Sequence, residues 1–136
     1  MEEMQNRRLI AAGTHFEKIF GYSRAVRVGP LVTVAGCTAS APTGPVGGAD
    51  IAAQSAECLQ RIKGALEDAG ASLQDVVRTR FYVTDITELE AIGRVHLDFF
   101  SEILPASTIV EVSALAHPSL LVEVEADAYV ETSTGN

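Results

Sequence analysis

Polar and apolar residues alternate most cleanly near the end of the chain. Val122, Val124, Ala126, Ala128 and Val130 fall on one face, and Glu123, Glu125, Asp127, Tyr129 and Glu131 on the other. That two-residue period predicts a half-buried strand. Val76–Val83 alternates in the same way, with Val77, Thr79, Phe81 and Val83 facing one side and Arg78, Arg80 and Tyr82 the other. Pro105 to Val112 reads as a further strand, joined to the last by a short loop. Tyr22–Val28 and Leu31–Ala35 flank Gly29-Pro30 as a hairpin. The period changes over Ile51, Ser55, Cys58, Leu59, Ile62, Leu66 and Ala69, whose spacing predicts a helix capped by Asp50 and stopped by Gly70. A second helix carries Leu89, Ile92, Val95 or His96, Phe99, Phe100 and Ile103. Thr87 and Glu90 are spaced as a capping box at its start, and Leu104-Pro105 ends it. The segment 40–49 is a connector rich in turn residues, and the tail 132–136 is expected to fray.

The order strand-strand-helix-strand-helix-strand-strand predicts an α+β fold, two helices covering one face of a mixed sheet. The opposite face then carries Arg78, Arg80, Glu123 and Glu125 among Val26, Val28 and Ile109. Such a face is too apolar for water and too charged for a dry core. Packing against further copies of the chain resolves the conflict and makes the clefts between copies polar.

Composition narrows the function classes. The 136 residues are read as one domain, 1–136, with enough apolar content for a core. A net charge of −8 without any basic run argues against nucleic acid as a partner. The first residues, acidic before any apolar stretch, do not read as a secretory leader, and no run approaches the ~20 apolar residues that span a bilayer. A cytoplasmic location is expected. Cys37, Cys58, His15, His96 and His117 show no zinc-like spacing, so no metal is expected. The glycines of 40–49 do not form a phosphate-binding loop.

Several short stretches occur in a telling order: Tyr22-Ser23, Gly36, Asp50-Ile51-Ala52-Ala53-Gln54, Val83-Thr84-Asp85, Phe99-Phe100, Pro105-Ala106, Val110-Glu111-Val112 and Val122-Glu123-Val124-Glu125-Ala126. Together they resemble the Rid family of reactive intermediate deaminases, also called the YjgF or L-PSP endoribonuclease family, over about residues 20–130. The resemblance implies a chorismate-mutase-like fold assembled as a homotrimer, with a small-molecule cleft between neighbouring subunits. It also implies hydrolysis of amino-acid-derived imines and enamines without cofactor or metal. In such members an arginine after Pro-Ala grips the substrate carboxylate, while a tyrosine and a glutamate place the attacking water. Tyr22 and Glu123 match the last two and are the catalytic candidates. The arginine's position, after Ala106, is Ser107, and the family's cysteine two residues later is Ile109. The chain therefore resembles an arginine-lacking branch.

Arg24 is the candidate replacement cation, weighed evenly against a purely structural role. Arg78 and Arg80 are read instead as partners of Glu111, Glu123 and Glu125 across strands. Ser107, Arg24, Ala106 and Cys37 are the expected ligand-contacting positions, with Cys37 accessible at a strand end. Ser107 shows no adjacent base in the sequence that would make it a nucleophile. His96 reads as a packed residue and His117 as one at a cleft mouth. The leading function is a cofactor-free hydrolase or deaminase of imines, enamines or related reactive metabolites. The alternative is a non-catalytic trimer that binds a metabolite or serves regulation, and an endoribonuclease is third.

Overall fold

A computed structural model describes residues 6–131. Nine elements follow one another: β1 (Arg7–Ile10), α1 (His15–Phe20), β2 (Ala25–Val28), β3 (Leu31–Cys37), α2 (Ile51–Asp68), β4 (Val76–Val83), α3 (Leu89–Phe100), β5 (Ala106–Glu111) and β6 (Val122–Tyr129). The strands form one mixed sheet in the order β1-β2-β3-β6-β4-β5, antiparallel except for the parallel pair β4–β5. The α+β class and the order of the seven predicted elements from the first hairpin onward are as expected. The stretch 132–136, expected to fray, lies outside the described residues.

Burial of one stripe drives the assembly. Ile51, Ser55, Cys58, Leu59, Ile62, Leu66 and Ala69, the predicted stripe of α2 and its cap, are all buried against Val32, Val34, Phe81, Val83, Val122, Val124, Ala126 and Ala128 from the sheet. Burying one such aliphatic side chain contributes about 1.5–3 kcal/mol. The Asp50 side chain accepts from the amides of Ala52 and Ala53, and Gly70 takes the left-handed turn, φ +81°, that ends the helix. The carbonyls left over at that end are met by cations from the hairpin side: Arg8 donates to Asp68 O, and Arg27 Nη1 to Ala69 O and Gly70 O.

Four local expectations need correction. The first is the N-terminal part: β1 and α1 precede the hairpin, and Tyr22 lies in the connection after α1, not on a strand. Neither element has a buried residue, so no periodicity marked it. Second, Val77 is 52% exposed, because a register shift between Val76 and Arg78 puts Val76 in the core instead. Third, Ile109 packs towards the core side, not the open face. Fourth, Thr87 and Glu90 form no capping box. The chain enters α3 through a short 3-10 turn, Ile86–Glu88, whose first residues are held by the Asp85 carboxylate. The β5–β6 connection is also longer than expected: β4 lies between the two strands, and residues 112–121 cross its end.

One polar side chain ties the two longest loops together. Gln54 is fully buried on α2. Its amide nitrogen donates to Gly48 O (2.7 Å) and Ser119 O (3.0 Å), and its carbonyl oxygen accepts from Leu121 N (2.9 Å). Replacing it with leucine keeps the volume but strands three backbone groups. Gln54→Leu is expected to destabilise the fold by about 3 kcal/mol, read as a lower denaturant midpoint with an unchanged slope.

Candidate functional site

A cavity of about 930 Å³, open on one side, lies where β2 begins and β3 ends, with α2 along one border. Tyr22, Arg24, Gly36, Cys37, Arg61 and Glu123 line it, with His117 at its margin. β6 supplies Glu123 because its period turns Val122 and Val124 into the core and Glu123 outward. β3 makes room through the irregularity between Val34 and Cys37, where Gly36 lies against the Glu123 carboxylate. A Cβ at position 36 would occupy the space of that carboxylate, so any larger residue there obliges the Glu123 side chain to move.

Arg24 projects from the residue before β2. Its Nη1 donates to Gly36 O (2.7 Å) and Ala35 O (3.3 Å) and reaches Cys37 Sγ at 3.4 Å. Among the described residues it belongs to no ion pair, and its hydrogen bonds all leave from Nη1. Nε and Nη2 are therefore available to a ligand. The guanidinium carbon stands 6.0 Å from the centre of the Tyr22 ring, at the outer reach of a cation–π contact. Arg61 is spent differently: it pairs with Glu57 and donates to Thr38 O and Ser40 O, bracing the loop that roofs the cavity.

Electrostatics separate Glu123 from its neighbours. Arg80 pairs with Asp127 at 3.0 Å and Glu125 at 3.6 Å, and the Tyr82 hydroxyl donates to Glu125. Arg80 thus neutralises cross-strand acids as expected. Arg78 does not, since it donates to Thr108 and pairs with no acid among the described residues. Glu111 is taken by the Ile86 amide. Glu123 alone of the three β6 acids has no cationic partner among the described residues. Burial pushes its carboxyl up from the usual 4.5, Glu125 adds to the rise, and Arg24 opposes it.

Cys37 lines the cavity but is buried, not accessible. Burial raises its thiol, against the pull of Arg24 and Arg61. Cys58 is raised to about 12 by burial, and both cysteines are free. Among the described residues no cluster of three metal-ligating side chains occurs.

Ala106 and Ser107 are not in this cavity. They start the edge strand β5, exposed and two strands away from β6, with Ser107 turned to the helix side of the sheet. Leu104, with φ +52°, turns the chain after α3 so that Pro105 leads into β5. Ser107 Oγ stands 2.8 Å from Thr79 Oγ1, and Thr79 Oγ1 stands 2.9 Å from His96 Nε2. His96 is packed against Phe81 and Phe100 as expected, and burial lowers its pKa. Ser107 therefore has an imidazole at one remove, through a residue 28 positions away in sequence. The β4–β5 register, Thr79 opposite Ser107, makes this contact and is not written in any local motif. Arg61 at the cavity was likewise invisible as a site residue, since the fold of the loop over α2 brings it there.

Comparison with known proteins supplies the relatives. A family model described as Endoribonuclease L-PSP matches residues 13–130. A solved structure from Mycobacterium tuberculosis, a member of the YjgF/YER057c/UK114 family, is 55% identical with a TM-score of 0.84, covering 91% of this chain and 99% of that one. A RutC family protein of Pyrococcus abyssi is 40% identical over 111 residues, 81% of this chain and 87% of that one. The 2-iminobutanoate/2-iminopropanoate deaminase of Escherichia coli is 31% identical over 113 residues, 79% of this chain and 85% of that one.

Two measurements test this geometry. A folded-state pKa above the unfolded one means that native Glu123 holds its proton longer, so its ionisation costs stability as pH rises from the unfolded value near 4.5 through the folded value. Glu123→Gln is expected to match the parent in acid and to be the more stable protein at neutral pH, as seen in paired denaturant titrations. Gly36→Ala forces the carboxylate out towards water, and the Glu123 pKa, followed by carbon NMR, should fall back towards its ordinary value.

Proposed function

The chain belongs to the Endoribonuclease L-PSP family, the group of the RutC and YjgF proteins, and from that premise we propose that it hydrolyses a small imine or enamine to a carbonyl compound and ammonia. The observation that carries this reading is Glu123: a half-buried carboxyl with a raised pKa, without an ion pair among the described residues, lining a cavity that also holds Tyr22 and Arg24. A carboxyl tuned upward is a better proton acceptor than an ordinary one, and once protonated it can give the proton back. Glu123 takes a proton from water as the water oxygen adds to the C=N carbon. It gives that proton to the nitrogen, which has taken the C=N π electrons, and a carbinolamine forms. It then takes the carbinolamine hydroxyl proton and delivers it to nitrogen as the C=O bond forms, the C–N bond breaks and ammonia leaves. Tyr22 orients the water or the ligand from the cavity wall. The reaction needs neither metal nor redox cofactor.

Ser107 in place of the gripping arginine puts the chain in an arginine-lacking branch of the family. Serine offers neither charge nor fork, so a carboxylate is not held there in the bidentate mode. The free Nε and Nη2 of Arg24 offer a different anchor, on the Glu123 side. The substrate is then smaller, or less anionic at the Ser107 end. Assembly as a homotrimer would bring Ala106 and Ser107 of one copy towards the cavity of the next. It would also cover the exposed apolar side chains Val28, Leu31, Val77 and Val110. Two unpaired thiols fit a reducing, cytoplasmic setting. A ribonuclease reading, which the family name carries, has the net charge of −8 against it.

Ammonia release is measured with imines generated in the cuvette from amino acids. Glu123→Ala is expected to lower kcat by about a hundredfold, and Tyr22→Phe by less. Ser107→Arg should shift preference towards carboxylate-bearing imines. Activity indifferent to both Glu123→Ala and Tyr22→Phe would sink the mechanism. Stabilisation by a carboxylate-free analogue with no turnover would instead make the chain a binding protein.

A further inference from the structure

The chain Ser107–Thr79–His96 lies on the helix side of the sheet, away from Glu123, and the hydrolysis proposed above does not use it. Thr79 is completely buried, and its hydroxyl has a partner at each end, 2.8 Å to Ser107 Oγ and 2.9 Å to His96 Nε2. One partner would satisfy a buried hydroxyl. The second extends the chain to the exposed Ser107 at the start of β5. The inner end is fixed, because the imidazole is held between Phe81 (centroids 5.6 Å apart) and Phe100 (4.7 Å). The groups facing the ring from β4 and from its own helix are Phe81, Phe100 and the Thr79 hydroxyl, none of them charged, and burial is the only cause of its lowered pKa. The imidazole is therefore neutral at neutral pH. Thr79 Oγ1 donates to Ser107 Oγ in this arrangement. When Nε2 is the unprotonated nitrogen, a turn of the two hydroxyls lets Thr79 donate to it and Ser107 donate to Thr79, and the three groups form a path for one proton.

We propose that Ser107 is a nucleophile served by this relay, with His96 as the terminal base, and that it reacts with activated acyl compounds such as esters. Ser107 Oγ attacks the acyl carbon, and a C–O bond forms. Its proton passes to Thr79 Oγ1 as the Thr79 proton passes to His96 Nε2. The tetrahedral adduct then expels the alcohol, which takes the proton back through the relay. Water hydrolyses the acyl-serine and restores the hydroxyl. Ser107 is the reacting group, and Thr79 and His96 are positioning residues that act through it.

Phenylmethanesulfonyl fluoride provides the test on the intact protein. The serine oxygen bonds to sulfur, fluoride leaves with the S–F electron pair, and the proton ends on His96. The expected result is one adduct per chain, mapped to Ser107 by peptide mass spectrometry and absent in Ser107→Ala. Its rate should rise with pH through an inflection below 6.5, the ordinary imidazole value. Thr79→Val and His96→Gln, each checked for native melting, should slow labelling by about a hundredfold, and Thr79→Ser should restore it. His96→Gln keeps the test decisive if the buried valine fails to fold. No adduct at Ser107, or an adduct whose rate ignores both substitutions, overturns the proposal. 4-Nitrophenyl acetate then reads turnover as phenolate release with the same dependence.

Discussion

The two-residue alternation of β6 is the constraint from which most of the molecule follows. β6 lies between β3 and β4, so its inward side chains, Val122, Val124, Ala126 and Ala128, form the floor on which α2 packs. A one-residue slip would exchange that floor for Glu123, Glu125 and Asp127 and place three carboxylates under a helix. Burying unpaired charges there costs several kcal/mol each, so the register is fixed by exclusion as much as by attraction. The same register decides where the acids go. Two meet Arg80 and Tyr82 on the neighbouring strand, while the third comes up against a glycine.

That difference separates acids held in ion pairs from one that has none among the described residues. Asp127 and Glu125 share one guanidinium on a partly exposed face, an arrangement that contributes little net stability but leaves both carboxylates satisfied. Glu123 is denied such a partner. The nearest cation, Arg24, spends its Nη1 on the Ala35 and Gly36 carbonyls and acts on Glu123 only through the field. A carboxyl with half its water removed and no ion pair is a cost to the fold. Proteins retain such costs chiefly where a proton must be moved.

Much of this was legible in the sequence because it rests on periodicity. The β6 faces, the α2 stripe with its Asp50 cap and Gly70 stop, and the covering of one sheet face by α2 and α3 each follow from a spacing of two or of three to four residues. What was not legible rests on register and on loops. Val77 was assigned to the core because strict alternation cannot anticipate a bulge. Ile109 was assigned to the open face because a lone residue on a short edge strand has no pattern to fix its side. Tyr22 was placed on a strand because nothing local marks α1, a six-residue helix without a buried side chain. Glu123, Arg24 and Tyr22 were selected from the resemblance, and folding gathers them at one cavity. Ser107, selected in the same way, is carried to the other face.

The separation of Ser107 from Glu123 within one chain has a physical consequence. Residues on opposite faces of a sheet cannot converge on one small molecule without a second copy, so any cleft using both must be built between subunits. The exposed apolar residues of the open face would give copies a reason to associate, and the acids among them would keep such a joint from being dry. On β5, Ser107 faces the helix side of the sheet. The hydroxyl there is held by Thr79, and through it by an imidazole whose only function in packing would have been served as well by a phenyl ring. A polar ring buried in that place, with its hydrogen bond directed along a path to the surface, is the observation on which the proposed acyl chemistry rests.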